Sequence, residues 1–101
     1  KNYKKAINLE PSYVEAYNNL GLVLHKLERQ LEAELILRQA LTLNPDFAEA
    51  QYNLGNILQD LGKLDEAKTK YKKAIDLKLD FPELYYNFGN ALKALNQFEE
   101  A

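Results

Sequence analysis

Apolar positions along the chain fall at helical spacing. Tyr17, Leu20, Gly21, Leu24 and Leu27 run i, i+3, i+4, i+7 and i+10, which fills one face of a helix, and Leu54, Leu58 and Leu61 copy them. A second amphipathic stretch follows each, as Ala33, Leu37, Ala40 and Leu41, then Ala67, Tyr71, Ala74 and Ile75. Between the two stretches lies LGKLDEA (61–67), where Gly62 can take the left-handed backbone that ends a helix. EPSY (10–13) and NPDF (44–47) break the chain before the next helix begins, because proline cannot donate to a helical ladder. The pattern predicts pairs of antiparallel helices.

Laid on itself at an offset of 34 residues, the chain repeats. Residues 14–47 and 48–81 share Glu15/Glu49, Ala16/Ala50, Asn19/Asn53, Leu20/Leu54, Gly21/Gly55, Leu24/Leu58, Ala33/Ala67, Ala40/Ala74 and Phe47/Phe81. Residues 82–101 continue the register through Glu83, Tyr86, Asn87, Gly89, Asn90, Leu92 and Leu95. YKKAI at 3–7 returns as YKKAI at 71–75, two periods on. Such regularity marks a stacked array. Residues 1–13 read as the second helix of a truncated repeat, 14–47 and 48–81 as whole repeats, and 82–101 as a further truncated one. The last has a first helix over 82–95 and the start of its partner. The segment thus reads as part of a longer superhelix, starting without Met and open at both ends to head-to-tail association.

These residues resemble the tetratricopeptide repeat, a helix–turn–helix of 34 residues. Its stripe of large residues around Leu–Gly reads here as Tyr17, Leu20, Gly21 and Leu24; its alanines are Ala33 and Ala40, its aromatic Tyr71 and its proline Pro45. The resemblance implies an all-α, right-handed superhelical solenoid of antiparallel helix pairs, curved so that the first helices line a concave wall. Gln51, Leu37 and Leu79 depart from the pattern. So does Glu28, which stands where Gly62 and Asn96 stand. A left-handed Glu is strained, so the first turn is expected to be reshaped, with Leu31 taking the part of the apolar Leu64 and Phe98.

Gly21, Gly55 and Gly89 lie on the packing face, where a missing side chain lets two helices approach closely. Asn19, Asn53 and Asn87 recur at the same interval but point away from the apolar stripe. They form one row along the inner wall, with Asn56 and Asn90 beside it. A carboxamide both donates and accepts, so a row of them can bond a peptide backbone whatever its side chains. The row is similar to the asparagine ladder in the superhelix of O-linked N-acetylglucosamine transferase. Tyr52 and Tyr86 flank it and can hold apolar ligand groups, and Glu49 lies on the same wall. The alternative is that these amides bridge neighbouring repeats. A carboxylate clamp for acidic C-termini is absent: Asn18, Leu22, Glu83 and Asn87 stand at its other positions and only Asn53 fits.

Composition narrows the field. The chain has 101 residues, 47% hydrophobic and 28% charged, a globular balance. A formal net charge of −2 argues against nucleic acid or a membrane surface as partner. There is no Cys, so disulfides and thiolate metal sites are excluded and a cytoplasmic setting is expected. No apolar run spans a bilayer and no signal-peptide pattern opens the chain. His25 is the sole histidine and lacks a second metal ligand at the right spacing. Asp65/Glu66 and Glu99/Glu100 open second helices, where acids suit the helix dipole. KTKYKK (68–73) and KNYKK (1–5) place lysines on outer surfaces. No nucleophile motif or phosphate loop is present, so no enzymatic activity and no cofactor are expected. The reading is a protein-interaction scaffold binding an extended peptide. The alternatives are a structural spacer or regulatory segment of a larger protein, and self-association through the ends.

Overall fold

The computed structural model describes the backbone of residues 11–100 and the side chains of residues 14–96. Among the described residues five helices follow one another: α1 Pro11–Lys26, α2 Gln30–Leu43, α3 Ala48–Asp60, α4 Leu64–Asp76 and α5 Pro82–Glu100. The described residues contain no strand. The molecule is an all-α repeat solenoid, elongated to 50 × 28 × 18 Å. α1 packs on α2 and α3 on α4 as hairpins, and α2 and α4 each pack on the first helix of the next repeat. Of the second helix expected over residues 1–13, residues 1–10 lie outside the described residues and 11–13 belong to α1.

Alanines make the close packing possible. Ala33, Ala40, Ala50, Ala67 and Ala74 are all fully buried, and Leu37, Leu54, Ile57, Leu58 and Tyr71 fill the spaces between them. α3 has neighbours on both sides, and Leu54 and Ile57 are 0% exposed. Their counterparts on α1, Leu20 and Val23, are 43% and 52% exposed. The close approach expected at the glycines is present twice. A Cβ on Gly21 would sit 2.6 Å from Leu37 Cγ, and one on Gly55 would sit 2.8 Å from Tyr71 Cε1. Gly89 is open, with nothing within 4 Å.

Two expectations about turns need correction. The first hairpin is not reshaped. Glu28 takes φ 62° and Gly62 φ 81°, and the hydrogen bonds match one for one. Glu28 N donates to His25 O and Arg29 N to Leu24 O; Gly62 N donates to Gln59 O and Lys63 N to Leu58 O. Both are Schellman caps. Packing of the hairpin around Gly21 and Leu37 holds Glu28 in a conformation that it does not favour by itself, and Leu31 stays 70% exposed. The second correction is at Asn96, where no turn forms and α5 runs on to Glu100. Continuing a helix adds a hydrogen bond per residue.

The junctions between repeats differ for a local reason. Asn44 precedes Pro45, which disfavours the α region, and Asn44 is extended at φ −148°. Leu79 stands at the proline's position and keeps its N–H, which donates to Ala74 O at 3.1 Å. Lys78 then takes φ 72° and completes a third Schellman cap. Left-handed backbone costs an L-residue roughly 1–2 kcal/mol. Glycine also frees the unfolded chain, at about 0.4–1 kcal/mol. Glu28→Gly and Lys78→Gly should therefore each stabilise by roughly 0.5–1 kcal/mol. Urea midpoints that stay put or fall would contradict this.

On the outer side, Arg38 Nη2 binds Glu34 Oε2 at 2.7 Å within α2 and Glu66 Oε2 at 2.6 Å on α4. Lys63 Nζ lies 3.4 Å from Glu34 Oε1. Burial pushes the Glu34 carboxyl up, but the hydrogen bond and charge of Arg38, with Lys63, outweigh it and hold the group below its ordinary 4.5. A carboxylate depressed in the folded state stabilises fully above its unfolded value, and that stability is lost as pH falls through the folded one. Acidification below about pH 4.5 should thus weaken the junction of the two repeats. Glu34→Gln should flatten the stability profile between about pH 6 and pH 3, measured by urea titration. An unchanged slope in the variant would remove Glu34 from the account.

Candidate functional site

The first helices α1, α3 and α5 lie side by side, and polar side chains join them. Asn53 Nδ2 on α3 donates to Asn18 Oδ1 on α1 at 2.9 Å. Asn87 Nδ2 on α5 donates to Tyr52 Oη at 3.3 Å and to Asn56 Oδ1 at 2.9 Å, both on α3. His25 Nε2 on α1 lies 2.6 Å from Asp60 Oδ2 on α3. A carboxylate oxygen only accepts, so Nε2 carries the proton there. Three of these contacts, 18 to 53, 52 to 87 and 25 to 60, join residues 35 apart, one more than the period. They form a seam across the repeats.

Tyr71 reaches this seam from behind. It is fully buried on α4, and its ring lies 6.3 Å from those of Tyr52 and Phe88. Its hydroxyl sits 2.6 Å from Asn56 Oδ1 and 2.8 Å from Gln59 Oε1, and one proton is shared between them. Burial pushes the phenol well above its ordinary value, and Tyr52 and Asp60 add to this. Gln51, which departs from the repeat pattern, is also buried. Its Nε2 donates to Pro45 O at 2.9 Å and ties α3 to the turn before it.

The residues of the anticipated asparagine row have different surroundings. Asn19 and Asn90 are exposed, as is Glu49. Asn53 is buried at 7% exposure, whereas Asn56 and Asn87 are half-buried. Tyr86 is 71% exposed, and Tyr52 is half-buried with its ring edge-on to Phe81 at 5.8 Å. The expectation of three free amides is therefore corrected at two positions. One N–H of Asn53 and both of Asn87 are engaged by the preceding repeat, because adjacent first helices approach closely enough for direct side-chain contact. Both keep acceptor capacity, and Asn53 also keeps one N–H. Asn18, His25, Asp60 and Tyr71 were not among the anticipated site residues. The one signal for Asn18 was that Asn18–Asn53 and Tyr52–Asn87 are the same pairing one period apart.

Among the described residues no group of His, Cys, Asp and Glu side chains is placed to hold a metal ion. No helix among them is long and apolar enough to cross a membrane.

Comparison with known proteins places the architecture. Residues 1–28 and 55–96 match the family model described as TPR repeat, and residues 36–69 match the tetratricopeptide repeat model. Solved structures agree. YrrB, described as a TPR protein with an unusual peptide-binding site, superposes with a TM-score of 0.81 at 27% identity over 96% of this chain and 50% of that one. MamA superposes with a TM-score of 0.78 at 31% identity over 93% of this chain and 55% of that one. The first TPR of Spaghetti (RPAP3), solved with the HSP90 peptide SRMEEVD, has a TM-score of 0.80 at 24% identity over 93% of this chain and 75% of that one, a likeness of fold. The chain thus spans about half the length of YrrB and MamA. No curated protein sequence matches it.

Proposed function

Because the chain belongs to the tetratricopeptide repeat family, a fold of protein-interaction scaffolds, we propose that it holds an extended peptide segment of a partner protein against the face formed by α1, α3 and α5. One observation carries the reading. That face presents exposed polar and aromatic groups, Asn19, Glu49, Tyr86 and Asn90, on helices locked in register by the seam beneath them. A rigid, preorganised surface loses less freedom on binding. The similarity to YrrB, whose description names a peptide-binding site, supports the same assignment.

A structural spacer is favoured by a separate observation. The bridges from Asn53 and Asn87 account for those amides without any ligand. The two readings part at the exposed residues, which a spacer does not use.

Affinity follows from the contacts. A handful of neutral hydrogen bonds at about 0.5–1.5 kcal/mol each barely exceeds the freedom lost on association. A single peptide should bind with a Kd on the order of 0.1–1 mM. Titration of extended peptides into the isotopically labelled chain should shift amide resonances around Asn19, Glu49, Tyr86 and Asn90. Asn19→Ala with Asn90→Ala should weaken binding several-fold without loss of helix. Shifts confined to α2 and α4, or affinity unchanged in the double variant, would leave the spacer reading.

A further inference from the structure

The face of α1, α3 and α5 carries a chemical bias that narrows its partner. We infer that it selects a basic segment, an extended or polyproline-type strand with Lys or Arg at about every third position. This rests on the face being a peptide surface, and adds the charge and spacing of its occupant.

Glu15, Glu49 and Glu83 stand one per first helix at intervals of one period, and all three are exposed. None is in an ion pair among the described residues. A carboxylate at a helix start also suits the dipole, which explains Glu49 and Glu83 in their first turns. It does not explain Glu15, which stands beyond the first turn of α1. The cations of this face, Lys26 and Lys93, lie ten or more residues further along their helices, roughly 15 Å away. That exceeds the screening length of about 8–10 Å in ordinary buffers.

An independent observation comes from Asn53. The side chain is 7% exposed and one of its two N–H groups is given to Asn18, while Oδ1 has no partner among the described residues. Nor is Oδ1 sealed away, since Gln51 Oε1 is the one unpartnered atom cut off from solvent among them. This oxygen sits one helical turn from Glu49 and is open to a further donor. Asn87 repeats the arrangement one turn from Glu83, with its N–H groups given to Tyr52 and Asn56. The seam leaves the oxygens of two amides without partners and sets them one turn from carboxylates. Tyr86, 71% exposed and one turn from Glu83, adds an aromatic face that attracts a cation.

Spacing sets the pattern of the ligand. Packed helix axes stand about 8–10 Å apart. A polyproline-type strand advances about 3.1 Å per residue with three residues per turn, so every third side chain points the same way. Successive cations on one edge of such a strand therefore meet successive carboxylates.

The test uses the 101-residue chain and two twelve-residue peptides, one a Lys-Pro-Ala repeat and the other its Gln-Pro-Ala counterpart, followed by amide chemical shifts. The lysine peptide should bind about tenfold more tightly at about 50 mM salt. Its advantage should vanish at about 300 mM salt, and in the triple variant Glu15→Gln, Glu49→Gln, Glu83→Gln, whose exposed substitutions leave the helical spectrum intact. Equal binding of the two peptides on this face would overturn the charge selection and leave the peptide surface standing. Shifts from the lysine peptide that centre on Glu66 and the outer helices would overturn it as well. No shift on this face with either peptide would overturn both.

Discussion

Replacing Tyr71 with alanine should cost about 3–5 kcal/mol, the range for truncating a fully buried aromatic. A domain of this size has about 5–15 kcal/mol of stability in total, so the variant should be close to unfolding at room temperature. The ring joins three helices. It rises from α4, covers Gly55 on α3 and lies 6.3 Å from Phe88 on α5. Loss of the ring should release α5 first, seen as hydrogen exchange in that helix becoming fast ahead of α2 and α3. Tyr71→Phe separates ring from hydroxyl and should cost only about 1 kcal/mol. The phenol also sets an alkaline limit. Its value is raised in the folded state above an ordinary 10.0, so its contribution is full below about pH 10 and is lost as pH climbs past that value toward the folded one. The Phe variant should lose less stability over that range. If Tyr71→Ala costs under about 1.5 kcal/mol in urea, the ring is not the pivot described here.

The second large effect should change sign between equivalent positions. Gly55→Ala places a methyl 2.8 Å from Tyr71 Cε1 and 2.9 Å from Cδ1. The ring cannot move away, being fully buried between Tyr52 and Phe88. Overpacking costs about 1–3 kcal/mol and the gain in helix propensity returns about 1 kcal/mol, a net loss of up to roughly 2 kcal/mol. Gly89→Ala meets nothing within 4 Å and should stabilise by about 0.5–1 kcal/mol. Gly21→Ala meets Leu37 Cγ at 2.6 Å and should resemble Gly55→Ala. Urea unfolding of the three variants gives the order directly. Gly55→Ala as stable as Gly89→Ala would mean that the tight contact is relieved at no cost.

What the residues disclosed, and what they withheld, divides along the range of the interaction. The helix pairs were legible because Leu20, Leu24, Leu54 and Leu58 obey a local period, and the role of Gly55 followed from its place on that stripe. The backbone of Glu28 was misjudged because intrinsic preference was weighed without the hairpin that overrides it. The turn at Asn96 was expected by analogy with Gly62, but a turn needs the helix after it as much as the residue within it. The asparagine row was read correctly as a recurrence and incompletely as a surface. Asn53 and Asn87 meet residues 31 or 35 positions away, and alignment at 34 compares like with like, never with the true neighbour. Tyr71 was recognised as an aromatic of the second helix. Its bond to Asn56 depends on the depth to which the ring penetrates, which no spacing encodes.

The direction of the seam bears on how such a chain can grow. Each first helix holds an oxygen at one position and an amide at the next, as Asn18 with Asn19, Tyr52 with Asn53 and Tyr86 with Asn87. The observed bonds run from the amide of the later unit to an oxygen of the earlier one. Duplication of any one unit therefore delivers both halves of the joint together. The new copy can accept from the unit after it and donate to the unit before it without a compensating change elsewhere. An insertion of any other length separates the halves and strands an amide against a face with no oxygen to meet it. Changes in gene length are thus tolerated in whole repeats and penalised in fractions of one.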